Sequence, residues 1–266
     1  MKLKTMTKTA EGKRKTTGPS HTSGESFLAH PAHALWAACA MLAFVVLIAI
    51  VVPAGPLGLD RSWSEAMRHL ETPLLTHLAL VFNWLGRGFG RVIALALVGL
   101  LLVRRRRWLA LVAFAVAESL APLFSALLKL LVDRARPPDG LVYPVGASFP
   151  SGHATYAGAT CVALVLLFTT PGTRRKWWWV LAGLAVVGMA WSRTYLQVHW
   201  LTDVIAGALL GSGVSLLVFA IAQLRESGLV VNGVLSRRSP AGGRTRVARR
   251  CKTRRSAATR DKRDPA

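Results

Sequence analysis

Three short fragments of this sequence hold the residue types that bind and cleave a phosphate ester. Each lies at the edge of an apolar stretch, and they read Lys129-x6-Arg136-Pro137, Pro150-Ser151-Gly152-His153 and Ser192-Arg193-x5-His199-x3-Asp203. Together they supply three cations, a hydroxyl, backbone N–H donors, and imidazoles for acid, base or nucleophilic chemistry. The fragments therefore predict one phosphate site, in which the binding residues are Lys129, Arg136, Ser151, Gly152 and Arg193.

The third fragment gives the most specific chemistry. His199 and Asp203 are four residues apart, so they share a face if a helix begins near them. The carboxylate can then accept from Nδ1–H and leave Nε2 unprotonated, which suits a nucleophile. His153 has no carboxylate near it in the sequence, so by elimination it is better placed to act as the acid for the leaving group.

The first two fragments also have an ordinary structural interpretation when each is taken alone. Ser151 occupies a predicted N-cap position, and a helix N-terminus is an anion site, but for this fragment alone a capped helix with an interfacial histidine is the more common arrangement. Lys129 precedes Arg136 by about two helical turns, and the following Pro137 is expected to end that helix. A snorkelling lysine and a juxtamembrane arginine are the alternative there.

The elements that must position these residues are membrane helices. The chain is 52% hydrophobic, yet it has 34 Lys and Arg against 12 Asp and Glu, so an apolar middle lies between basic ends. A span needs roughly 20 apolar residues. We predict an all-α transmembrane bundle of six spans, at residues 34–52, 88–103, 108–132, 154–170, 177–191 and 204–224. The short apolar stretch 73–86 is predicted to lie at the interface rather than to cross.

The distribution of basic residues predicts the orientation of the bundle. Lys and Arg concentrate before span one, between spans two and three, between spans four and five, and after span six. The positive-inside rule therefore places both termini in the cytoplasm. The connections after spans three and five share the opposite face, so the three fragments are predicted to meet at the extracytoplasmic surface of the inner (plasma) membrane.

The ends of the chain are predicted to be solvated arms rather than domains. We divide the chain into a basic N-terminal arm at 1–33, a six-span domain at 34–224 and a basic tail at 225–266. Within them, residues 1–26 and 232–266 are poor in large apolar residues and are predicted to be disordered. Their charge could bind anionic lipid headgroups or RNA, but a topology anchor is the simpler interpretation, and no nucleic-acid partner is expected. The cysteine positions suggest neither a disulfide nor a metal site.

Glu118 is the acid predicted to lie in the middle of a span. It precedes Lys129 by eleven residues, about three turns, so both are expected on one side of the helix. An intramembrane acid is a functional candidate by default. The alternative is that Glu118 only bonds a neighbouring helix.

The three fragments together resemble the signature of the type 2 phosphatidic acid phosphatase superfamily, KxxxxxxRP, PSGH and SRxxxxxHxxxD, and all three match without substitution. The match covers roughly residues 128–203. The resemblance implies a helical bundle and metal-independent dephosphorylation, without a cofactor, through a phosphohistidine. It implies that His199 is the nucleophile, Asp203 its orienting partner and His153 the general acid, and that the five binding residues hold the phosphoryl oxygens.

A site at the outer membrane surface suits a lipid whose chain stays in the bilayer while its phosphate reaches the cations. We expect hydrolysis of the terminal phosphate of a lipid phosphate or diphosphate, with undecaprenyl diphosphate favoured. Phosphatidate and phosphatidylglycerophosphate are alternative substrates, and a lipid phosphotransferase would use the same residues. Six spans argue against a soluble vanadium haloperoxidase, which shares the signature. A transporter or lipid-binding protein is the non-enzymatic alternative.

Overall fold

The computed structural model describes residues 26–52, 55–86 and 88–238. Within these ranges the chain forms eight helices and no strand, which confirms the all-α class. The predictions of disorder at residues 1–25 and 239–266 lie outside the described residues. The helices are α1 (Pro31–Val51), α2 (Gly58–His69), α3 (Pro73–Leu85), α4 (Gly88–Arg104), α5 (Trp108–Val132), α6 (Gly152–Phe168), α7 (Arg175–Tyr195) and α8 (Leu201–Arg238).

Three of these helices are individually long and apolar enough to cross a membrane. They are α1, α5 and the Leu201–Gly228 part of α8. Helices α3 and α4 pass the same test only as a pair, bent by 49° at their break, which is the geometry of a broken span or a re-entrant loop. Helix α6 is apolar but only 17 residues long. The chain is therefore a helical membrane protein, and the prediction of six spans stays a prediction.

Two helices show how far the sequence-based expectation holds at helix ends. Helix α5 has the bounds predicted for span three, but Asp133 ends it rather than the Arg-Pro pair, because Asp133 adopts a left-handed backbone (φ 39°) and its N–H donates to Lys129 O at 3.1 Å. An αL residue commonly ends a helix in this way, and Asp tolerates it better than most residues. Helix α8 continues to Arg238, so residues 232–238 are helical where the sequence predicted disorder, and the division of the chain at residue 225 stays a prediction.

The chain divides into two compact units, Met1–Ser227 and Gly228–Ala266. In the first unit, the residues just before α1 are packed rather than solvated. Phe27 and Leu28 are buried, and both of their N–H groups donate to Gln223 Oε1, at 2.9 and 2.8 Å. Phe27 also packs edge-on against Phe219, with ring centroids 5.2 Å apart. The part of the predicted arm at residues 27–28 is therefore fixed to α8.

Helices α6 and α8 approach each other at backbone level. A Cβ built on Gly207 would overlap Ser151 O, and one built on Gly211 would overlap Thr155 O. These two glycines are four residues apart on one face of α8, the small-residue spacing that allows close helix packing in membranes. The contact holds the N-terminus of α6 beside the first turn of α8, and both of these helix ends carry residues of the three fragments.

Candidate active site

The three fragments occupy helix ends that meet at one end of the bundle. Lys129 lies in the last turn of α5, Ser151 is the N-cap of α6, and Arg193 lies in the last turn of α7. Asp203 lies in the first turn of α8, and Ser151 N donates to Asp203 O at 3.0 Å. The second and third fragments are thereby joined directly, although about fifty residues separate them in the sequence.

His199 and Asp203 form the centre of this arrangement. His199 lies in the connection between α7 and α8, and its Nδ1 is 3.5 Å from Asp203 Oδ2, an ion-pair distance that is longer than a good hydrogen bond. The same Oδ2 accepts from the backbone N–H of Trp200 at 3.0 Å. On the other side of the ring, Arg136 Nη1 lies 3.3 Å from His199 Nε2. An arginine only donates, so this contact makes Nε2 the acceptor and places the ring proton on Nδ1, toward Asp203.

The environment of His199 favours the neutral imidazole. The side chain is 5% exposed, and burial lowers the pKa of His199 from 6.5 to about 4. Asp203 raises this pKa, whereas the charges of Arg193 and Arg136 lower it. At neutral pH the ring is therefore unprotonated at Nε2, the state that a nucleophile needs.

Two of the predicted cations converge on one carbonyl. Lys129 Nζ donates to Ala147 O at 2.9 Å, and Arg136 Nη2 donates to the same oxygen at 3.1 Å. Arg136 also donates from Nη1 to Val198 O at 2.7 Å, in the connection that carries His199. Lys129 and Arg136 thus lie side by side, with Arg136 next to the imidazole, and both are only partly buried.

The start of α6 offers donors beside these cations. Ser151 is fully buried, and within the described part of the chain its Oγ has no hydrogen-bond partner. The space around the Cα of Gly152 is open, since a Cβ built there would meet no atom within 4 Å. His153 follows at the second position of α6, where its ring packs so closely on Gly86 that a Cβ at residue 86 would overlap it. This helix N-terminus has the features of an anion site.

Arg193 approaches the site from α7 and is held by α3. It is 2% exposed, and its Nη1 donates to Asn83 Oδ1 at 2.5 Å. The neighbouring Ser192 Oγ donates to Ala79 O at 2.9 Å, one turn earlier on α3. The orientation of Arg193 therefore depends on a helix that carries none of the three fragments.

Sequence reasoning missed three polar residues that support the site: Asn83, Asp60 and Arg134. Arg134 Nη1 donates to Asp203 Oδ1 at 2.5 Å, and its Nη2 donates to Asp60 Oδ2 at 2.7 Å. The one available signal was that Arg134 lies two residues before Arg136, in the same short connection. Nothing in the sequence around Asp60 or Asn83 distinguishes them from ordinary helix residues.

Glu118 bonds neighbouring helices. Its Oε1 accepts from Thr160 Oγ1 on α6 at 2.8 Å, and its Oε2 lies 3.8 Å from Arg91 Nη2 on α4. The Arg91 guanidinium in turn stacks over the Tyr156 ring, 3.4 Å from its centroid. These contacts give Glu118 a packing role between α4, α5 and α6. Over the described ranges, no group of three or more His, Cys, Asp or Glu side chains is placed to hold a metal ion.

Comparison with known proteins agrees with the fragments. The model of the PAP2 superfamily matches residues 107–227. The undecaprenyl-diphosphatase of Sulfolobus acidocaldarius is 42% identical over 85 residues, which are 32% of this chain and only 37% of that protein. The decaprenylphosphoryl-5-phosphoribose phosphatase of Mycobacterium tuberculosis is 36% identical over 140 residues, which are 50% of this chain and 72% of that protein.

A solved structure has the same fold over most of both chains. It is the transmembrane PAP2 type phosphatidylglycerolphosphate phosphatase from Bacillus subtilis, with a TM-score of 0.60 and 24% identity. The superposition covers 73% of this chain and 98% of that one. At this level of identity the likeness shows the fold.

Proposed function

The chain belongs to the PAP2 superfamily, the family that its three fragments resemble, and from that premise we propose that it is an integral membrane lipid phosphatase. It removes the terminal phosphate of a lipid phosphate or diphosphate through a phosphohistidine at His199. The observation that carries this proposal is a neutral, buried imidazole with its Nδ1 toward a carboxylate and its Nε2 beside a guanidinium. Such an imidazole is a nucleophile next to an anion-binding group.

The proposed reaction has two steps. Lys129, Arg136, Arg193 and the start of α6 hold the phosphoryl oxygens. His199 Nε2 attacks phosphorus, the bond from phosphorus to the leaving oxygen breaks, and His153 donates a proton to that oxygen. Water then attacks the phosphohistidine, His153 takes a proton from that water, and the P–N bond breaks to release inorganic phosphate.

Charge explains why these residues would accelerate both steps. Negative charge on the phosphoryl oxygens faces cations and helix N–H groups that are already in place, so little reorganisation is needed. Positive charge develops on the imidazole as Nε2 bonds phosphorus, and Asp203 lies on the Nδ1 side to stabilise it. The Ser151 hydroxyl, buried and without a partner among the described residues, supplies a further donor.

The site is proposed to open at the extracytoplasmic face of the inner membrane. Six spans with cytoplasmic termini would place the clusters Arg104–Arg107 and Arg174–Lys176 inside, which agrees with the positive-inside rule. In this arrangement a lipid chain remains in the bilayer, and its phosphate enters from the membrane surface.

Polyprenyl-linked phosphates are the proposed substrate class, and undecaprenyl diphosphate is the favoured member. The support is that two relatives, the Sulfolobus undecaprenyl-diphosphatase and the Mycobacterium decaprenylphosphoryl-5-phosphoribose phosphatase, carry polyprenyl substrates in their names. Phosphatidate, phosphatidylglycerophosphate and transfer of the phosphoryl group to an alcohol are the alternatives that a substrate panel must separate.

The test is to trap the phosphorylated protein and identify the labelled residue. Purified protein in detergent is incubated with a chelator and with lipids carrying a labelled terminal phosphate, then quenched in alkali, in which phosphohistidine survives. We expect one label per chain and release of inorganic phosphate, both lost in His199→Ala. His69→Ala is the matched control because His69 is exposed on α2. Full activity of His199→Ala would refute the mechanism.

A further inference from the structure

A buried chain of charged groups connects Asp60 on α2 to Asp203 in the candidate active site. Arg134 bridges two carboxylates, with Nη1 2.5 Å from Asp203 Oδ1 and Nη2 2.7 Å from Asp60 Oδ2. Asp60 Oδ1 accepts from the backbone N–H of Thr202 at 2.9 Å and from its hydroxyl at 3.0 Å. Asp60 and Asp203 are fully buried, and Arg134 is 4% exposed. The contacts span three parts of the chain that are distant in sequence.

Structural stability alone does not account for this arrangement. Removing charged groups from water is costly, and buried ion pairs are often replaceable by apolar side chains without loss of stability. The network also has an excess of negative charge, since the carboxylates of Asp60 and Asp203 face the single guanidinium of Arg134. That excess negative charge lies beside His199, where positive charge would develop when Nε2 bonds phosphorus. A buried charge in this position stabilises the charged intermediate more than it would in water.

We propose that Asp60 and Arg134 are positioning residues for the phosphatase reaction, an inference that rests on the proposed function. Arg134 fixes the carboxylate of Asp203 through Oδ1, so that Oδ2 faces His199 Nδ1 and sets the tautomer of the ring. Asp60 offsets the charge of Arg134, so that Asp203 keeps its negative charge available to the imidazole. Neither residue reaches the phosphoryl group, because both side chains are enclosed behind Asp203.

Two arginines of one connection thus have separate tasks. Arg136 is partly exposed and lies 3.3 Å from His199 Nε2, on the side that a phosphoryl group would occupy. Arg134 is buried, and its two ion pairs are with the carboxylates of Asp203 and Asp60; it also donates to Thr202 Oγ1 and Gly55 O. Substitution of Arg136 should therefore weaken substrate binding, whereas substitution of Arg134 should leave binding unchanged and slow the chemical step.

The first experiment separates turnover from binding in Asp60→Asn and Arg134→Gln. We expect kcat to fall about 10- to 100-fold in each, by analogy with the loss when residues that orient metal-bound histidines are removed, with KM unchanged. Arg68→Gln is the matched control. Arg68 lies on the same helix as Asp60, and its exposed ion pair with Asp139, 2.9 Å long, joins α2 to the connection that contains Arg134. This variant should keep the wild-type kcat.

The second experiment measures how the charges of Asp60 and Arg134 change the pKa of the His199 imidazole. The ring of His199 is titrated by NMR in protein labelled at its seven histidines, with His199→Ala to assign the signal. Arg134→Gln removes a positive charge and should raise the pKa of His199. Asp60→Asn removes a negative charge and should leave the pKa at or below its wild-type value. The other groups that face the ring, Asp203, Arg136 and Arg193, are unchanged in both variants.

The outcomes distinguish positioning from support of the fold. If the two substitutions only loosen the protein, both should move the pKa of His199 upward, toward the value of an exposed histidine. That result, or a wild-type kcat in both variants, would overturn the inference. The ring titration requires no substrate. An inactive wild-type protein would therefore count against the proposed function, while a rise in the pKa of His199 in Arg134→Gln but not in Asp60→Asn would still show the coupling.

Discussion

The titration of His199 gives a quantitative test of the proposed chemistry. Its pKa is lowered from 6.5 to about 4 because the ring is buried. At pH 5.5 a ring with a pKa of about 4 is roughly 97% neutral, whereas an ordinary histidine is roughly 9% neutral. Lowering the pH from 8 to 5.5 should therefore leave the nucleophile almost fully available. An unshifted histidine would lose about tenfold in kcat/KM over the same range.

The assay combines kinetics with a direct titration. A lipid monophosphate loses its second proton near pH 6, so the pH profile of kcat/KM contains a contribution from the substrate. The NMR titration of the ring, described above, is free of that contribution. Asp203→Asn provides the matched variant. It should lower the pKa of His199 further, because Asp203 raises it, and should reduce kcat by roughly 10²- to 10⁴-fold through loss of the correct tautomer.

The same shift has a consequence for stability. Between pH 6.5 and pH 4 the unfolded chain binds a proton at this histidine that the folded chain does not, so stability falls as the pH falls through this window. The loss from this one group is at most about 3 kcal/mol. A folded-state pKa near 6.5, or an acid limb of kcat/KM that starts above pH 6 with a substrate that does not titrate there, would refute the assignment of His199.

Three further predictions concern other parts of the site. With a substrate whose leaving group needs no proton, His153→Ala should accumulate the phosphorylated protein, because the hydrolysis step loses its general base. Turnover at the wild-type rate would contradict the role of His153 as acid and base. Gly211→Ala should lower the free energy of unfolding by about 1–3 kcal/mol, because its methyl overlaps the backbone of α6. Gly183→Ala should not lower the free energy of unfolding in this way, because its methyl meets no atom within 4 Å. Equal unfolding curves for the Gly211 and Gly183 variants would contradict the packing argument. Asn83→Ala should lower kcat/KM about tenfold because the Nη1 of Arg193 loses its bond to Asn83 Oδ1, and an unchanged value would remove Asn83 from the site.

Local patterns predicted the parts of the molecule that depend on nearby residues. The N-cap position of Ser151 and the juxtaposition of His199 with Asp203 followed from spacing, because residues four apart near a helix start share a face. The residue that ends α5 did not follow from spacing. The left-handed backbone of Asp133 ends the helix before Pro137 is reached. The roles of the site residues stay predictions, which the labelling and pH experiments test.

The supporting residues were out of reach for sequence reasoning because their contacts are not periodic. Asp60 bonds Thr202 across 142 positions, and Asn83 bonds Arg193 across 110. Both lie in a segment that matches none of the three fragments, and each is polar in the way that many helix residues are. Only the folded arrangement of α2 and α3 against the connections identifies them as part of the site.

The glycine contact between α6 and α8 limits where this enzyme can be redesigned. With Gly207 and Gly211 against the backbone of α6, the contact between α6 and α8 admits no larger side chain at either glycine. Substitutions meant to change the proposed headgroup preference must then lie away from this contact. The connection between α5 and α6 is the place to randomise, beginning with Tyr143 and Val145, whose side chains are 92% and 98% exposed.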